Sequence, residues 1–133
     1  MRFSRPPPPT PEPLLWPAIL YLAHTLLEIA LGAIKLRGRY AHEAPGSKSK
    51  RNEMYCRHHA ASLLAHALLG WLVYANDRVD TSEGRGASMV LFVFHGGAVA
   101  AFLYTWAQGA IPLSKVVVPH LPFAIGFAVH ALM

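Results

Sequence analysis

Charge is what this sequence has least of. Lys, Arg, Asp and Glu together make up 14% of its 133 residues, against roughly a quarter in an ordinary soluble domain. Acids are scarcer still where the chain is apolar: Glu28 is the one carboxylate inside a hydrophobic run. Cysteine is confined to Cys56, which excludes an internal disulfide, a CxxC redox pair and a cysteine-built zinc site. No HExxH or HxxxH spacing fixes a metal geometry, so no free-ion metal site is expected from the sequence. The length allows one domain.

What is present is apolar. Hydrophobic types account for 53% of the chain, and the charges crowd into residues 35–57 and 77–85. Four nearly uncharged runs remain, at about 14–34, 58–75, 87–107 and 111–133. Each has 18 to 23 residues, enough to cross a hydrocarbon core of about 30 Å at about 1.5 Å per residue. Lipid offers no partners to backbone N–H and C=O groups, so such runs must be helices. The expected fold is therefore all-α, an integral membrane bundle of four transmembrane helices over residues 14–133. A proline-rich extended tail precedes it: residues 1–13 hold six prolines, a composition that favours polyproline II. Pro119 and Pro122 are expected to kink or break the fourth run near its start.

The formal net charge of +5 then reads as a topology signal, and no nucleic-acid partner is expected. The first and third connections carry Lys35, Arg37, Arg39, Lys48, Lys50, Arg51, Arg57 and Lys115, while the other side carries Arg2, Arg5, Arg78 and Arg85. The excess of positive charge stays on the non-translocated side. That puts the basic loop 35–57 in the cytoplasm, stroma or matrix and both termini on the opposite face. The same loop is suited to anionic lipid headgroups. Small residues four apart, at Gly96/Ala100, Gly97/Ala101, Ala61/Ala65 and Ala124/Ala128, offer faces for close helix packing.

Eight histidines are many for so short a chain, and seven lie in or beside the runs. His24 and Glu28 stand one helical turn apart, and Gly32 and Lys35 continue their stripe. His59, Ser62, His66 and Gly70 form a second stripe on the next run. An ionisable group facing lipid costs roughly 2.5–3.5 kcal/mol on insertion scales, so these stripes are expected to face each other.

Two functional expectations follow. In the first, the chain is an accessory or structural subunit of a larger membrane complex, photosynthetic or respiratory, with other membrane subunits and lipids as partners. Its intramembrane histidines His95, His66, His24, His120 and His130 would then ligate chlorophyll or haem. Gly96 and Gly97 beside His95 leave room for a flat ligand, and a thylakoid location belongs to this reading. In the second, the chain is a membrane enzyme or proton-coupled carrier acting on a lipid-soluble substrate, with His24, Glu28 and His66 as the working set.

Overall fold

A computed structural model describes residues 15–37, 50–109 and 120–133. All regular structure among them is α-helical: α1 (Leu15–Leu36), α2 (Lys50–Ala75), α3 (Ser82–Ala107) and α4 (Leu121–Leu132). The proline-rich tail, most of the basic loop and the start of the fourth run lie outside the described residues.

Two of these helices, α1 and α3, are long and apolar enough to cross a membrane. At about 1.5 Å per residue, their 22 and 26 residues exceed the thickness of a bilayer core. Only 33% of the apolar window of α1 and 22% of that of α3 is buried within the chain, whereas the core helix of a soluble domain is mostly covered. Leu26, Leu68, Val93 and Ile125 stand outward on the four helices in turn.

The helices differ in extent from the apolar runs, for local reasons. Helix α2 begins eight residues before the second run, because KRNEMYCR is composed largely of good helix formers. Those polar turns extend the helix without adding apolar length, and Glu53 and Arg57 pair across one turn at 3.5 Å. Helix α3 starts at Ser82, where the Thr81 hydroxyl accepts the Gly84 N–H and itself donates to the Arg78 carbonyl, a side-chain N-cap. It stops at Gly109, whose φ of +74° is a conformation glycine adopts without strain. Helix α4 covers only 12 residues. Pro122 sits in its first turn, where a missing N–H costs nothing.

Helix α1 packs along α2, and α3 along α4; the two pairs meet through α1 with α4 and α2 with α3. Close approach depends on glycine at few places. A Cβ at Gly70 would stand 2.8 Å from Thr25 Oγ1 and 3.4 Å from His24 Nδ1, so α2 lies against the polar stripe of α1 at His24 and Thr25. Most of the small residues marked in the sequence stand elsewhere: Ala61, Ala65, Gly97, Ala100 and Ala101 are exposed, and Ala124 alone is buried. The apolar core, built from Tyr21, Val73, Val79, Ala87, Leu91 and Phe127, fills the end of the bundle nearest the α2–α3 turn.

Candidate functional site

Between that core and the Lys35 end of α1 lies a polar centre. The spacing of Tyr21, His24, Glu28 and Gly32 keeps all four on one buried face of α1. His95 comes to this face from α3. His24, Glu28 and His95 are 0%, 1% and 1% exposed. Their ligand atoms all lie within 4.8 Å of one another. The Glu28 Oε1 atom is 3.6 Å from His24 Nε2 and 3.8 Å from His95 Nε2. Both distances exceed the 2.7–3.2 Å typical of a hydrogen bond. The three side chains therefore converge without bonding one another.

Aromatic rings close the centre. The His24 and His95 rings meet edge to face at 5.0 Å. Phe127 lies edge-on to His24 at 5.1 Å, and Phe123 stacks on His95 at 5.4 Å. On the α2 side, His66 stacks on Phe94 with centroids 3.9 Å apart, and Phe94 in turn touches the edge of His95. His66 is an electrostatic neighbour of both His24 and His95.

Five buried side-chain polar atoms among the described residues have no hydrogen-bond partner. They are His24 Nδ1 and Nε2, Glu28 Oε2, His66 Nδ1 and His95 Nε2, although His66 also interacts with the Ser62 backbone one turn back on α2. All belong to this one neighbourhood. A buried polar atom left unpaired costs about 1–3 kcal/mol, and a fold rarely concentrates several in one place without a use for them.

Three further histidines are hydrogen-bonded. His120, just before α4, is bonded to His95 through the two Nδ1 atoms at 3.0 Å. His59 Nδ1 is bonded to Lys35 Nζ at 2.9 Å, which ties α1 to α2 at the basic end. His130 is remote from the centre and belongs to a second buried network. Its Nδ1 is 2.7 Å from Ser88 Oγ, Ser88 is 2.8 Å from the Tyr21 hydroxyl, and that hydroxyl donates to the Gly84 carbonyl at 2.7 Å. This second network leaves no orphaned atom and joins three helices.

Of the six histidines and acids singled out from the sequence, the structure thus brings His24, Glu28 and His95 into one contact. It places His66 and His120 beside them and sends His130 to another cluster. Sequence reasoning missed Tyr21, Ser88, Phe94, Phe123 and Phe127. A usable signal existed for two of them: Tyr21 precedes Glu28 by seven residues and Ser88 precedes His95 by seven, so each shares its partner's face. Comparison with known proteins found no matching family model, curated relative or solved structure.

Two imidazoles and a carboxylate are a common donor set for divalent transition metals. They serve as the His2Glu ligands of catalytic zinc and as the two-histidine, one-carboxylate face of non-haem iron. Donor atoms on a tetrahedral ion with bonds of roughly 2.0–2.1 Å lie about 3.4 Å apart. The two carboxylate–imidazole separations of 3.6 and 3.8 Å need to close by only a few tenths of an ångström, and all three donor atoms lie within 4.8 Å of one another.

Proposed function

We propose that this chain is a membrane-integral four-helix bundle that holds a divalent transition-metal ion at His24, Glu28 and His95 and works on a lipid-soluble substrate. The observation that carries this reading is the convergence of His24, Glu28 and His95, whose ligand atoms lie within 4.8 Å of one another while His24 Nε2, His95 Nε2 and Glu28 Oε2 have no hydrogen-bond partner. A metal ion would satisfy His24 Nε2, His95 Nε2 and the Glu28 carboxylate together, and His66, the third imidazole of the neighbourhood, stands beyond Phe94. Three protein ligands leave a coordination position open, which is the arrangement of catalytic rather than structural metal sites. Such an ion supplies Lewis acidity or an activated water when bound. The ligands must be deprotonated to bind. Membrane integration of all four helices rests on the apolar outer faces of α1 and α3 and on the apolar runs of α2 and α4. The basic loop 35–57 is assigned to the non-translocated side by its Lys and Arg content.

The second reading is a subunit of a larger membrane complex. Its support is the broad uncovered apolar surface of α1 and α3, which suits neighbouring subunits as well as lipid. Chlorophyll or haem on His95 draws less from the geometry. His95 Nε2 faces Glu28, its Nδ1 is bonded to His120, and Phe123 and Phe127 lie over its ring, so a macrocycle would have to displace them. The open space at Gly97, where a Cβ would meet nothing within 4 Å, is on the exposed side of α3.

The test is elemental analysis of the full chain purified in mild detergent. Stoichiometric zinc, iron or manganese is expected, and it is lost in His24→Ala and His95→Ala variants that keep their helical content. A metal-free protein that takes up none of these ions when they are supplied contradicts the proposal.

A further inference from the structure

Beside the metal site, on the far side of the His95–His120 pair, lies a half-open groove of about 260 Å³. Its walls come from one face of α3, where Phe94, Ala98, Ala101 and Phe102 follow one another at helical spacing, and His59 of α2 and His120 close its polar side. We propose that this groove binds a lipid-soluble compound whose head is a single flat ring bearing carbonyl oxygens.

The hydrogen-bonding character of the groove follows from what its imidazoles are already bonded to. A lysine ammonium only donates. His59 Nδ1 therefore accepts from Lys35 Nζ at 2.9 Å, and the proton of the neutral ring sits on Nε2. His120 is fixed by a longer chain, which rests on the metal reading above. With His95 ligating through Nε2, its Nδ1 carries the proton and donates to His120 Nδ1 at 3.0 Å. The proton of His120 is then on Nε2. Each groove imidazole thus offers one N–H donor and has no acceptor left. Thr105, which also lines the groove, adds no donor, since its hydroxyl donates to the Ala101 carbonyl at 2.8 Å.

Two donors in an otherwise apolar cleft call for a neutral ligand with acceptor oxygens. The shape calls for a flat one. Phe102 stacks on His120 with centroids 5.4 Å apart and planes 26° apart, and Phe94 lines the groove two helical turns away on the same face of α3. Ala98 and Ala101 between them leave a small-residue floor that a planar ring can cover, flanked by aromatic side chains. The volume falls just below the roughly 300–1,000 Å³ of drug-sized ligand sites, so one ring fits and a macrocycle does not. An alkyl or isoprenoid tail would leave by the open side into lipid. A benzoquinone head on a hydrocarbon tail has all these properties.

The experiment titrates two probes, decyl-substituted benzoquinone and decylbenzene, into the full-length protein in detergent, with and without bound metal. The quinone is expected to bind about tenfold tighter or more, the size of a single lost hydrogen bond or somewhat over. His59→Phe is expected to reduce that preference about fivefold to tenfold even without metal. Ala98→Phe, which fills the groove, abolishes quinone binding while helical content is unchanged, and Ala98→Leu weakens it less. Equal binding of the two probes, or quinone binding untouched by Ala98→Phe, overturns the assignment. A quinone preference that persists in a protein unable to hold metal supports the groove and removes only the metal reading.

Discussion

Glu28 and Ser88 are both buried polar residues on apolar helices, and their situations are opposite. Ser88 has its hydrogen bonds: one to His130, one shared with Tyr21. Glu28 has none shorter than 3.5 Å among the described residues; two imidazoles stand beyond hydrogen-bond reach, and Lys35 acts on it electrostatically. A satisfied network of the first kind holds helices together, whereas the converging unpaired atoms of the second kind are what the proposed metal site rests on. The difference is measurable. Ser88→Ala orphans His130 Nδ1 while Tyr21 keeps its bond to Gly84. It is expected to cost about 1–3 kcal/mol of stability, read from thermal or denaturant unfolding in detergent. Metal content should not change, because His130 is not in the centre.

At the scale of helices, the α1–α2 contact sets the position of His24. Gly70 makes that contact possible, and Gly97 provides a natural control. Gly70→Ala puts a methyl group against the buried Thr25 hydroxyl, and overpacking of this kind costs about 1–3 kcal/mol. It should also weaken metal binding, since the same methyl crowds His24 Nδ1. Gly97→Ala faces open space and should be neutral or stabilising by about 0.5–1 kcal/mol, the usual gain from removing a helical glycine. Equal effects of the two substitutions on metal affinity would count against the placement of α2 across His24.

Much of this level was legible beforehand. Hydropathy marked the four helices, and the i,i+4 spacing placed His24 and Glu28 on one face. The stripes of α1 and α2 do lie together, with Gly70 against His24 and Lys35 on His59. What spacing could not provide was the partner from α3. Neighbours in sequence are the economical guess for a polar stripe, and His66 was the histidine at matching depth. Which helix supplies a third ligand depends on how the two helix pairs dock, and that information is spread over the Tyr21, Leu91 and Phe127 core. His66 is instead drawn to the face of Phe94. The helix bounds departed from the apolar runs for a related reason: capping by Thr81 and the helix-forming turn before His58 extend helices without changing hydropathy.

For the molecule as a whole, the distribution of charge makes a prediction about orientation. In a Cys56→Ala background, Arg37→Cys and Asp80→Cys place thiols at exposed positions at the two ends of the bundle. In oriented membrane vesicles, a membrane-impermeant maleimide should label these two sites from opposite sides, with position 37 on the non-translocated side. Cys56 itself is fully buried and should react slowly in the folded protein, quickly after denaturation. Labelling of both introduced sites from one side would rule out the proposed crossing pattern.

The central claim concerns what fills the space between two imidazoles and a carboxylate that meet without bonding. X-ray absorption on the purified, metal-loaded full chain reads that directly. The expected spectrum is that of a bound divalent ion with only nitrogen and oxygen ligands at roughly 2.0–2.2 Å, with an imidazole scattering signature that is lost in Glu28→Gln and His95→Ala. Sulfur ligation, or a spectrum unchanged by both substitutions, would contradict it.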